Sequence, residues 1–185
     1  MIAGFVFDTS GLPIAAAVAS VRQADTGEPV LIRGEQVLTN QHGLFLIEGI
    51  PNGSYEVTVH ASGHAQQSKL VKASDALERV EFCLGPEANV RVRVRDASGN
   101  TVEHAVLGVG NVLGNPIDPA PGEGDDVSRT QSDSSGYVTR GGLAAGAYRG
   151  EVASSKGRTT FEFSVIEGKV TDVEVTVQPV REEDR

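Results

Sequence analysis

Phe7-Asp8-Thr9-Ser10-Gly11, followed by Ala17-Val18, returns 88 residues further on as Arg95-Asp96-Ala97-Ser98-Gly99, followed by Ala105-Val106. Gly43-Leu44-Phe45 and Gly49-Ile50-Pro51-Asn52-Gly53-Ser54-Tyr55 reappear 93 residues later, as Gly136-Tyr137-Val138 and Gly142-Leu143-Ala144-Ala145-Gly146-Ala147-Tyr148. Val80-Glu81-Phe82-Cys83-Leu84 matches Val173-Glu174-Val175-Thr176-Val177 in the same way. The offset grows by five residues, and the acidic, proline-rich stretch 114–126 is the place for that insertion. A period of this length marks tandem structural units. The sequence therefore reads as two homologous units, residues 1–85 and 88–180, followed by a charged tail at 181–185. Gly85-Pro86-Glu87 between them is too short for wide free motion.

Each unit reads as all-β. Tyr55, Val57 and Val59 alternate with Glu56 and Thr58, and Phe161, Phe163 and Val165 alternate with Glu162 and Ser164. Val90, Val92 and Val94 alternate with Arg91, Arg93 and Arg95, a period of two that gives a strand one buried and one wet face. Asp8-Thr9-Ser10-Gly11, Asn40-Gln41-His42-Gly43, Asp96-Ala97-Ser98-Gly99 and Asp133-Ser134-Ser135-Gly136 supply turns. In each, Asp or Asn bonds the backbone ahead of it and glycine takes a positive φ. Ala15 to Ala19 reads as a small-residue strand, and Ala73 to Arg79 has room for one helical turn. The expected fold is two tandem seven-strand β-sandwiches of transthyretin-like or immunoglobulin-like type.

Composition narrows the function. The chain has 185 residues with 39% hydrophobic and 22% charged, enough for folded cores. Sixteen basic against 25 acidic residues give a net charge of −9, which argues against nucleic acid as partner. No apolar run is long enough to insert in a membrane as a helix. One cysteine excludes an internal disulfide. Residues 1–7 carry no signal-peptide pattern. This fits a cytoplasmic chain, or a piece of a longer one that is extracellular or in the cell envelope if that chain is secreted.

Ile2, Gly4, Val6, Asp8, Gly11, Pro13 and Ala17, then Thr39-Asn40 with Gly43 and Phe45, then Gly49-Ile50-Pro51 with Gly53, Tyr55 and Val57, then Ala61 with Gly63-His64, make one ordered pattern. It resembles the carboxypeptidase regulatory-like domain, a transthyretin-like sandwich related to B-type repeats of surface adhesins. The second unit departs from it: Asn100 and Thr101 stand where Leu12 and Pro13 are, and its first strand lacks the glycine. The resemblance implies a non-catalytic accessory of spacer, adhesion or docking type. Adhesin repeats of this kind also form Lys–Asn crosslinks between first and last strands. Here the first strands hold no Lys and the closing strands no Asn, so that crosslink is not expected.

Chemistry-bearing motifs are weak. Gly108-Val109-Gly110-Asn111-Val112-Leu113-Gly114 has its third glycine one place late for a dinucleotide loop, and no helical pattern follows. His60 and His64 share one face only on a helix, so a partly exposed histidine is expected rather than a metal ligand. Cys83 is out of phase with Val80, Phe82 and Leu84 and is placed on the wetter face. No nucleophile elbow is present, and no catalytic residue, metal or cofactor is expected. Three candidate contact features remain. Asp118, Glu123, Asp125 and Asp126 lie in the inserted loop, with Ca²⁺ or a protein as their ligand. Arg91, Arg93 and Arg95 form a stripe, read either as cross-strand pairing with Asp172 and Glu174 or as a dock for an acidic partner. Tyr137 is the tyrosine open to a sugar, while Tyr55 and Tyr148 belong to the cores. The expected partner is a protein or a neighbouring domain, with a carbohydrate as the alternative.

Overall fold

A computed structural model describes residues 1–30, 32, 37–112, 117 and 131–179. The chain divides into two compact units, Met1–Pro86 and Glu87–Arg185. In the first lie β1 (Ile2–Asp8), β2 (Val18–Gln23), β3 (Val37–Leu38), β4 (Leu44–Ile47), β5 (Gly53–His60), β6 (Gln67–Ala73) and β7 (Glu78–Leu84). In the second lie β8 (Ala88–Arg95), β9 (Val106–Asn111), β10 (Tyr137–Leu143), β11 (Gly146–Ser154), β12 (Gly157–Val165) and β13 (Val170–Thr176). Among the described residues there is no helix.

The first unit has sheets ordered β4-β1-β7 and β3-β2-β5-β6; the second has β10-β8-β13 and β12-β11-β9. In both, the opening strand runs parallel to the closing one, β1 with β7 and β8 with β13, and antiparallel to its other neighbour. The seventh strand expected in the second unit is reduced, among the described residues, to one bridge between Val106 and Gln131. In the first unit the corresponding place is the Val18–Leu38 pair of β2 and β3.

Alternation explains the layers. Ile2, Val6, Phe45, Ile47, Phe82 and Leu84 point from one sheet of the first unit onto Val21, Tyr55, Val57 and Val59 of the other. Val90, Val92, Val94, Val138 and Val175 meet Leu107, Val109, Tyr148, Val152 and Phe163 in the second. Each such buried side chain contributes about 1.5–3 kcal/mol. Gly4 belongs to this packing, because a Cβ there would fall inside the ring of Phe45.

The turns are built alike. Asp8 Oδ1 accepts from the N–H groups of Ser10 and Leu12 at 2.8 and 2.9 Å, and Asp96 Oδ1 from those of Ser98 and Asn100, both at 2.9 Å. Asn40 and Asp133 do the same before Leu44 and Tyr137. Buried hydroxyls tie the loops before β2 and β9. Thr39 Oγ1 accepts from Ala17 N–H at 2.8 Å and donates to the Ile14 carbonyl at 2.7 Å. Ser132 Oγ serves Ala105 and Val102 identically, at 2.9 and 2.7 Å.

Two local expectations need correction. Ala15 and Ala16 form a turn, with Ala16 at φ 56°, and β2 starts only at Val18. The cause is the Thr39 hydroxyl, which holds Ala17 N–H and the Ile14 carbonyl out of any ladder. In the span from Ala73 to Arg79, Ala73 ends β6, the chain bends at Asp75 and Ala76 rather than making a helical turn, and Glu78 opens β7. Ser74 Oγ donates to Glu78 and accepts from Ala76 N–H, a local arrangement that competes with helical bonding.

Candidate functional site

β8 is the central strand of its sheet, so its outward side chains have neighbours on both sides. Arg91 stands level with Asp172 and Thr139, and Arg93 with Glu174 and Tyr137. Arg91 Nε donates to Asp172 Oδ1 at 2.6 Å. That hydrogen bond, and then the carboxylate charge, raise the Arg91 pKa further above its ordinary value. Glu174 Oε2 lies 3.0 Å from Arg95 Nε and 3.8 Å from Arg93 Nη1. The approach to Arg95 Nε is too oblique for a hydrogen bond, and Arg93 Nε has no partner either. Arg95 is instead fastened by Nη1, which donates to the Gly99 carbonyl at 2.8 Å.

The ring of Tyr137 lies beside the arginines. The guanidinium carbons of Arg91 and Arg93 are 5.5 and 5.3 Å from its centroid, within cation–π range. The face thus combines three guanidinium groups, one tyrosine and two carboxylates. Cross-strand pairing with Asp172 and Glu174 is what the arginines do here. Each guanidinium carries more N–H donors than these carboxylates use, so it can still take an acidic or hydroxyl group.

The fold does not require this face. Ala3, Phe5 and Phe7, which stand 88 residues earlier, lie on the outer side of β1, Ala3 itself buried, level with Leu46 and Leu44 on β4 and with Arg79, Glu81 and Cys83 on β7. Phe5 and Phe7 lie parallel, with centroids 6.4 Å apart and planes 1° from each other. The phenylalanine pair in place of the arginines was missed in the sequence. Its signal was there: the residues in phase with Ile2 and Val6 form the core, and the phenylalanines fall out of phase.

Asp118, Glu123, Asp125 and Asp126 lie outside the described residues, as do most of the loop and the tail. Among the described residues no three His, Cys, Asp or Glu side chains converge on a common point. His60 is buried at 7% exposure, contrary to the expected partly exposed histidine, because at the end of β5 it stands level with Val18 of the neighbouring β2 rather than in open solvent. His64 is half-buried, with Nδ1 2.9 Å from the Ser62 carbonyl. Cys83 faces solvent, its Sγ 3.6 Å from the Asp8 carbonyl. Tyr55 and Tyr148 are core residues whose hydroxyls donate to the Pro51 and Ala144 carbonyls at 2.9 and 2.7 Å. Burial raises the Tyr148 pKa.

Residues 1–84 match the family model of the carboxypeptidase regulatory-like domain, the family that the sequence pattern of the first unit resembles. No curated protein matches the chain. Among solved structures, the chain is similar to the minor pilin GBS52 of Streptococcus agalactiae, at 15% identity and TM-score 0.47, covering 97% of this chain and 96% of that one. It is also similar to a variant of the shaft pilin of Lactobacillus rhamnosus GG, at 12% identity and TM-score 0.41 over 97% of each chain. The major pilin subunit of Bacillus cereus gives 8% identity and TM-score 0.37, over 97% of this chain and 99% of that one. Similarity at this level carries no argument about what this chain does.

Proposed function

We propose that the chain is a non-catalytic module of two copies of one sandwich domain, residues 1–85 and 88–180, which spaces or docks parts of a larger protein or assembly. The observation that carries this reading is the ordered lattice on β8, β10 and β13, where Arg91, Arg93 and Arg95 stand beside Asp172 and Glu174, and Tyr137 lies against Arg91 and Arg93. Arginines held in this way lose little freedom when they meet a partner. An acidic protein surface is the matching chemistry, since it takes up the N–H donors left over on the guanidinium groups. The loop carrying Asp118, Glu123, Asp125 and Asp126 is a second candidate contact, whose acidic side chains match a basic patch of the partner. Tyr137 serves that dock better than a sugar, because the two arginines already engage its ring.

The test compares affinity captures from source-cell lysate with three baits: the native chain, a chain carrying Arg91→Glu and Arg93→Glu, and one with residues 115–126 replaced by a Gly-Ser loop. A protein held by the native bait and lost with the charge-reversed one supports docking through this face. Its direct binding to the purified chain must then weaken as salt rises. Identical captures from all three baits refute the dock and leave only the spacer.

A further inference from the structure

On the other sheet of the second unit, the middle of the outward side of β9 is bare among the described residues. Gly108 and Gly110 face out there, level with Glu151 and Arg149 on β11, and Glu151 is in turn level with Thr160 on β12. These five residues line an open cavity of about 300 Å³, at the small end of ligand pockets. The fold does not ask for glycine at 108. Its backbone lies outside the left-handed region, and an added Cβ would meet only the Glu151 carbonyl oxygen, at an ordinary 3.8 Å. A glycine inside a strand is destabilising against alanine, and one use of it is to let another group approach the backbone. The first unit supplies the comparison: Ser20 and Arg22 stand at the corresponding positions of β2, paired with Thr58 and Glu56, and fill that face with side chains.

We infer that this trough is a binding site for a neutral saccharide, one pyranose ring over the two glycines with its hydroxyls on Arg149, Glu151 and Thr160. Charge decides the ligand class. Among the described residues, Glu151 has Arg158 at 3.6 Å and Arg149 stands level with Glu162, so positive and negative groups on β11 and β12 beside the trough are equal in number. An anion would meet Glu151 and a cation would meet Arg149. Hydroxyls, which both donate and accept, satisfy the two together. Length decides against an extended peptide. The bare floor is two alternate residues long, about 7 Å, and exposed Val106 and Val112 stand two positions before and after the glycines. Among the described residues no aromatic ring lines the cavity, so binding is weak, with Kd on the order of millimolar. The trough lies on the sheet β12-β11-β9, and the arginine face on the sheet β10-β8-β13.

The test follows backbone amide shifts of the full chain by NMR during titration with the methyl glycosides of glucose, galactose, mannose and N-acetylglucosamine. Acetate and free glycine serve as the anionic and zwitterionic comparators. At least one glycoside is expected to shift Gly108, Gly110, Glu151 and Thr160 saturably while the comparators do not. Gly108→Val, which fills the trough, is expected to weaken that binding at least about tenfold. Should Gly108→Val unfold the second unit, Arg149→Ala, a surface change, takes its place with the same expectation. The inference is overturned if no glycoside shifts these amides by about 100 mM, if acetate or glycine shifts them as strongly, or if the variant that folds binds as the native chain does.

Discussion

Replacing Gly43 with alanine should unfold the first unit far more easily than the same change at Gly49. The two glycines have nearly equal dihedrals, φ 71° and 72°, so the left-handed cost of about 1–2 kcal/mol applies to both. Their surroundings differ. A Cβ at Gly49 meets nothing within 4 Å, whereas at Gly43 it would sit 2.4 Å from the Val6 carbonyl oxygen. That oxygen accepts from Ile14 N–H at 2.9 Å, and the Gly43 carbonyl accepts from Val6 N–H at 2.8 Å. Relieving the clash means opening these two bonds, each worth about 0.5–1.5 kcal/mol net. The contrast between the variants is therefore about 2 kcal/mol, or roughly 1–2 M in urea midpoint. Amide NMR across a urea series measures it, with peaks of the second unit showing that unit's own transition. Equal midpoints for Gly43→Ala and Gly49→Ala would refute the backbone clash as the reason for glycine.

Thr39→Val keeps the volume but strands Ala17 N–H and the Ile14 carbonyl, and should cost the first unit about 1–3 kcal/mol in the same urea series, with Ser132→Ala doing likewise in the second. Acid should destabilise both units through their first turns. The Asp8 carboxyl is held below the usual carboxylate range by the Ser10 hydroxyl and then the Leu12 N–H; that of Asp96 is held down chiefly by the Asn100 N–H. As pH falls, the unfolded chain takes up these protons first, so the stabilisation is present above about pH 4 and is lost below it as pH drops through the folded pKa. Thermal melts at successive pH values should show this loss, and Asp8→Asn with Asp96→Asn should flatten it while keeping the turn, since Asn40 already bonds its turn in the same way.

Much of the fold was legible because it is written twice. Offsets of 88 and 93 pair Val18 with Val106 and Leu38 with Gln131, and these two pairs bond at the same place in their units. The Arg91–Asp172 and Arg95–Glu174 pairs were readable for a related reason: alternation gives the face, and matching first strand to last gives the neighbour. The details that escaped depend on which side chain competes with the ladder. Ala16 and His104, at φ 56° and 59°, occupy the left-handed region with no glycine or asparagine to announce it. The hydroxyls responsible, on Thr39 and Ser132, lie more than twenty residues downstream. The trough escaped because glycine in Gly108-Val109-Gly110 invites comparison with loops, whereas in β9 its importance is the side chain it lacks.

The parallel pairing of first and last strands has a mechanical consequence. β1 meets β7 over seven residue pairs, Ile2 with Glu78 through Asp8 with Leu84, and β8 meets β13 over seven more. Because the paired strands point the same way, the start of one and the end of the other lie at opposite ends of the ladder. Tension applied to a unit through its two chain ends therefore loads these bonds in shear, all at once, rather than peeling them apart one by one. Resistance to pulling then depends on the whole ladder giving way together, a property suited to a chain that carries load between its neighbours.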